Sequence, residues 1–199
     1  MNAIDLQRPT LSAIVIGTSA GGVEALMRIL PTLPATMPVA ILIVVHIPRE
    51  RPSLLTDIFR QKCAMRVEEG VDKADIKSGH IYFAPADYHM LVDAGPQIAL
   101  SVDDVIQFSR PSIDVLFESA ADVYGKNLLG LLLTGGNEDG ASGLAYIARC
   151  GGMTMLQDPA EAVASAMPEG ALKVMTPTHV LRLDDIAALL MTIAIRPTL

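Results

Sequence analysis

A serine, a histidine and an aspartate each stand just beyond an apolar run of this chain. Ser19 follows "AIVIGT", His46 follows "VAILIVV", and Asp139 lies six residues after "LLGLLL". These three types can perform one reaction together. A histidine takes the proton of a serine hydroxyl as it attacks a carbonyl, while a carboxylate fixes the imidazole tautomer and stabilises the imidazolium that forms. Each residue also has a structural alternative when taken alone. Ser19 and Asp139 are favoured helix N-caps, and His46 can be a satisfied core group.

Ser19 sits in "VIGTSAGG", a Gly-rich turn between a strand and a helix, where phosphates commonly bind. The spacing fails both nucleotide patterns. GxGxxG needs glycine where Ser19 stands, and the P-loop needs GK[ST] where Gly22 is followed by Val23 and Glu24. A glutamate in the first helical turn would also repel phosphate. The pattern that fits is GxSxG, Gly17 to Gly21, a nucleophile elbow whose following helix supplies free backbone N–H groups to an oxyanion. The order Ser19, His46, Asp139 differs from the Ser, Asp or Glu, His order of the α/β-hydrolases, so that family is disfavoured while the chemistry is not.

The elements that must position these residues alternate. Strands are expected at 13–17, 39–45, 128–133, 152–157 and 179–183, and helices at 21–30, 53–62, 112–125, 140–150 and 183–194. This implies an α/β fold: a doubly wound, mostly parallel sheet with helices on both faces, because strands such as VAILIVV are apolar on both sides. Residues 80–102 read as short strands broken by Pro, Asp and Gly, a short antiparallel extension at an edge. Parallel strands end on one edge, so the ends that carry Ser19 and His46 are neighbours if their strands are adjacent.

Composition narrows the function classes. The chain has 199 residues, 51% of them hydrophobic, and a formal net charge of -7. It is long enough for one cored domain and too apolar for disorder. An acidic balance with few aromatics argues against a nucleic-acid surface. Every apolar run is interrupted before the roughly 20 residues a bilayer span requires. The first residues lack the pattern of a signal peptide, so a cytoplasmic protein is expected, without membrane insertion. Cys63 and Cys150 have no metal-ligand spacing and read as buried thiols. His80, His89 and His179 likewise show no ligand pattern and read as structural or exposed. Arg49 and Arg51 read as a solvated loop.

Six motifs in order, "IGTSAGGVEAL", "VVHIP", "IYFAPADYHMLV", "SRPSIDVLFESAA", "LLLTGGNEDGASGL" and "QDPAEAVASAMPEGAL", resemble the catalytic domain of CheB-type protein-glutamate methylesterases from about residue 12 to about 194. The resemblance implies that Ser19, His46 and Asp139 are nucleophile, base and orienting carboxylate, and that the N–H of Gly136 joins that of Ala20 at the oxyanion. It implies no metal or organic cofactor. The implied partners are the cytoplasmic helices of methylated chemoreceptors, where glutamate methyl esters are hydrolysed and, in many members, glutamines deamidated. The chain departs from the family at Gly136 and Asn137, where Met and Gly are common, and at Ala20, where some members have Thr. Met167, Pro168 and Arg110 fall in family motifs, the first two with packing as the alternative. About eleven residues precede the first strand, so one catalytic domain over 1–199, without the family's usual receiver domain, is expected, either alone or as a module of a longer polypeptide. A non-catalytic relative that binds receptor helices is the other reading, resting on the altered Gly136–Asn137 loop.

Overall fold

In the computed structural model, residues 11–46 and 54–195 are described. Seven strands form one parallel sheet: β1 (Ala13–Thr18), β2 (Ala40–Val45), β3 (Arg66–Glu69), β4 (His80–Phe83), β7 (Leu128–Leu132), β8 (Met153–Gln157) and β9 (His179–Leu181). Their order is β3-β4-β2-β1-β7-β8-β9. From β1 the chain winds outward through β2 to the β3 edge, then returns to the other side of β1 at β7. The direction of winding therefore reverses between β1 and β7, the place beyond the strand ends where open sheets of this kind build their sites.

Helices cover both faces because the central strands are apolar on both. On one face, Ile14, Ile16, Ile41 and Ile43 pack against α1 (Gly22–Ile29), α2 (Leu55–Arg60) and α6 (Leu183–Ile195). On the other, Val15, Leu42, Val44 and Leu132 pack against α3 (Ile113–Tyr124), α4 (Ala141–Arg149) and α5 (Ala166–Val174). Side chains alternate between faces at every strand residue, which is why one unbroken run feeds two cores.

The antiparallel pair expected in the 80–102 region is present as its own two-stranded sheet, β5 (His89–Asp93) with β6 (Gln97–Ser101). Its inner residues Met90, Val92 and Ile98 join the α3 face, and Val92 N–H donates to Ser119 Oγ of α3 at 3.1 Å. The first strand of that region, β4, pairs in parallel with β2 and β3 instead. Strand β3, "RVEE", carries no apolar run and is not visible by hydropathy; pairing with β4 defines it. Cys63 and Cys150 are both partly buried, and burial pushes the Cys63 thiol up to about 11, which keeps it protonated and unreactive at neutral pH.

Candidate active site

The elbow is built by close approach as much as by turning. Gly21 is the N-cap of α1 at φ 80°, a left-handed conformation that a β-carbon disfavours. A β-carbon there would also come within 2.6 Å of Val163 Cβ. Gly17 matters for a different reason. Any β-carbon on it would collide with Ile113 Cγ2, so its absence lets the start of α3 reach the end of β1. Gly21→Ala should lower turnover and cost about 1–2 kcal/mol in stability, read by denaturant unfolding and ester hydrolysis. Parent-like values for both would show that the elbow does not need its left-handed turn.

Ser19 leaves β1 with its N–H on Thr134 O at 2.9 Å and its carbonyl accepting from Gly22 N at 2.9 Å. Thr134 braces the other side of the elbow: its hydroxyl donates to Ala20 O at 2.8 Å and accepts from Ala164 N at 2.9 Å. Nothing in the spacing marks Thr134 as more than a turn residue. His46 directly follows β2, and its N–H donates to Thr18 O at 3.1 Å. The nucleophile and base candidates are thus seated at the ends of adjacent parallel strands.

The Asp139 carboxylate is fully buried and meets His46 Nε2 at 2.8 Å across the strand end that carries Ser19. It caps a helix, but not the one that follows it. Gly140 is the N-cap of α4; Asp139 caps α3, accepting Ile113 N at 2.8 Å, Asp114 N at 3.1 Å and the Ser112 hydroxyl at 3.0 Å. Capping and orienting are therefore one arrangement. Burial alone would raise the Asp139 pKa, but the His46 hydrogen bond and the N–H groups of Ile113 and Asp114 hold it below the usual carboxylate range. An ionised carboxylate only accepts, so Nε2 carries the imidazole proton and Nδ1 the lone pair.

That lone pair is what a serine base needs. Among the described residues, Nδ1 meets Ser109 Oγ at 3.4 Å, and no hydrogen bond joins it to the Ser19 hydroxyl. Long or unmade contacts of this kind are common before substrate binds and tighten in the reacting complex. The N–H groups of Ala20 and Gly136 donate to no described residue, and both residues are exposed. A β-carbon at Gly136 would meet nothing within 4 Å, so the position tolerates a larger side chain and the change to glycine leaves the backbone donor in place.

Arg110 bonds Val102 O at 2.7 Å, Asp103 O at 3.0 Å and Asp87 Oδ1 at 2.8 Å, pinning the loop that carries Ser109. Met167 is fully buried against Gly135, a packing role. His89 is buried and structural, accepting Ser112 N at Nδ1 and meeting Asp104 O at Nε2. Arg49 and Arg51 lie outside the described residues. Among those described, no cluster of His, Cys, Asp or Glu could hold a metal ion.

The family model described as CheB methylesterase matches residues 14–190. The chain belongs to the CheB methylesterase family. A relative from Leptospira interrogans is 44% identical over 177 residues, covering 89% of this chain and 92% of its own. The protein-glutamate methylesterase/protein-glutamine glutaminase of Chromohalobacter salexigens is 38% identical over 192 residues, 94% of this chain but 54% of that protein. The crystal structure of the Thermotoga maritima CheB methylesterase catalytic domain superposes with a TM-score of 0.88 at 28% identity, over 92% of this chain and 99% of that one. The doubly wound sheet with its separate antiparallel pair is thus a CheB catalytic-domain fold.

Proposed function

We propose that this CheB-family chain is a serine hydrolase that removes methyl esters from glutamate side chains of chemoreceptors and can deamidate receptor glutamines at the same site. The observation that carries this reading is the 2.8 Å contact of a buried, ionised Asp139 with His46 at the strand end next to Ser19. Ser19 Oγ attacks the γ-carbonyl carbon and its proton passes to His46 Nδ1. The oxyanion of the tetrahedral intermediate lies between the N–H groups of Ala20 and Gly136. Collapse breaks the bond to methoxide, which leaves as methanol with the Nδ1 proton; an amide leaves as ammonia. Water, deprotonated by His46, then cleaves the glutamyl ester on Ser19 and restores the enzyme.

A protein substrate suits the rim. Phe108 is 97% exposed on a tight turn, and the next residue, Ser109, touches the base. An apolar side chain so close to the site and so open to water fits contact with a macromolecule better than with a small ester. The proposed partner is the cytoplasmic helical region of a methylated chemoreceptor, which places the protein in the cytoplasm. Among the described residues no helix is long and apolar enough to cross a membrane. Residues from about 12 to about 194 are proposed as one catalytic domain.

Release of methanol from a methylated receptor cytoplasmic fragment tests the reading. Methanol is expected in proportion to enzyme, with new carboxylates on the receptor. Receptor binding by folded protein without methanol would favour the non-catalytic alternative.

A further inference from the structure

The starts of α3 and α4 exchange carboxylates. Asp139, just ahead of α4, caps the first turn of α3 through Ile113 N and Asp114 N. Asp114, in that same first turn of α3, accepts Gly143 N in the first turn of α4 at 2.7 Å through Oδ1. Its other oxygen takes Gln107 Nε2 at 3.3 Å. Each helix thus holds the other's N-terminus with a side chain, and the base-orienting carboxylate is one half of the exchange.

Asp114 is an expensive residue to keep there. Only 6% of it is exposed, and burial, with the negative charges of Asp139 and Glu118, raises its pKa to about 6 against the hydrogen bonds from Gly143 and Gly140. An apolar side chain at this helix contact would avoid that cost. Meanwhile the segment carrying Asp139 has weak internal bonds, Asp139 N to Asn137 Oδ1 at 3.4 Å and Ala141 N to Glu138 O at 3.2 Å, and its ion pair from Glu138 to Lys173 at 2.9 Å is solvent-exposed. The beginning of α4 is the nearest rigid anchor; Gly140 and Gly143 pack closely on Ile113 and Phe117 of α3 there, and Asp114 adds the hydrogen bond that sets the two helix starts in register.

We propose that Asp114 is a positioning residue: by locking the start of α4 to the start of α3, it fixes the Asp139 carboxylate against His46 Nε2. The proposal rests on the hydrolase reading for its catalytic consequence, though not for its structural one. Two readouts separate these. The first is the proton resonance of His46 Nε2–H, which a hydrogen bond to a buried carboxylate moves far downfield and protects from exchange. The second is kcat per active serine, with KM alongside.

Asp114→Ala should move that resonance upfield or lose it to exchange, and should lower kcat by roughly 10- to 100-fold with KM nearly unchanged. Asp114→Asn keeps an oxygen for Gly143 N–H and should restore both toward the parent. If Asp114→Ala does not fold, Asp114→Ser serves instead, because its hydroxyl falls one bond short of Oδ1 and cannot span to Gly143; it should show the same loss. A folded Ala or Ser variant with the parental His46 resonance overturns the proposal. Should the parent itself release no methanol, the hydrolase reading fails while the resonance still decides the role of Asp114.

Discussion

Ser19→Ala should leave a protein as stable as the parent in which methanol release has fallen by about 10,000-fold or more. Both expectations come from the same local structure. Ser19 is held through its backbone, N–H to Thr134 O and carbonyl from Gly22 N, and alanine keeps both bonds. The hydroxyl makes no hydrogen bond to any described residue, so its removal strands no buried partner, and the change in unfolding free energy should stay within about 0.5 kcal/mol. Turnover, in contrast, loses the atom that forms the covalent intermediate. His46 and the backbone donors of Ala20 and Gly136 remain, and they can still polarise a bound ester toward water, which sets a small residual rate. A serine-directed phosphonate supplies an independent check, labelling the parent at Ser19 and leaving the variant unlabelled. Turnover in the alanine variant within tenfold of the parent would remove Ser19 from the reaction and the hydrolase reading with it.

Legibility in the sequence follows the range of the interactions. Ser19 and His46 are legible as residues because each directly ends an apolar strand run, and the register Gly17 to Val44 and Thr18 to Val45 places them side by side. Asp139 is legible as a residue, but its partners are not. The N–H groups it accepts belong to Ile113 and Asp114, about 25 positions away, and an aspartate before a helix looks the same whether it caps that helix or a neighbour. Asp114 is hidden for the same reason: an acid in a first helical turn is so common that its bond to Gly143 leaves no trace in the spacing. Strand β3 escapes a hydropathy reading because charge at three of its four positions masks an edge strand that pairing alone defines. The antiparallel pair is readable from its turn residues, while its placement over α3 depends on Met90, Val92 and Ile98 finding that face.

Asp139→Asn should lower turnover by at least about 1,000-fold and, unlike the serine variant, should also destabilise the fold. Each carboxylate oxygen accepts two donors: Oδ1 from the Ser112 hydroxyl and Asp114 N, Oδ2 from His46 Nε2 and Ile113 N. An amide has one acceptor and one donor, so its NH2 must face one of these pairs. Turned toward Ser112, it orphans Asp114 N–H and leaves a neutral partner that cannot stabilise the imidazolium. Turned toward His46, it orphans Ile113 N–H and favours the proton on Nδ1, where the serine proton has to go. In either orientation a buried N–H of α3 loses its acceptor, at about 1–3 kcal/mol. The pH dependence gives the sign. Because the folded pKa of Asp139 is depressed, its stabilisation is fully present above the unfolded value of about 3.9 and is lost as pH falls through the lower folded value. Asp114 behaves oppositely: its pKa, raised to about 6, makes stability fall as pH rises from about 4 to about 6. Burial raises this pKa in parent and variant alike, but the charge of Asp139 adds to it in the parent only, so as pH falls from about 6 to about 4 the parent regains more stability than the variant. Thermal melts from pH 7 downward should therefore run apart by a gap that widens modestly between about pH 6 and about pH 4 and closes below it. A gap that persists into strong acid would mean that the amide variant fails by shape, and that the charge on Asp139 does not hold the start of α3.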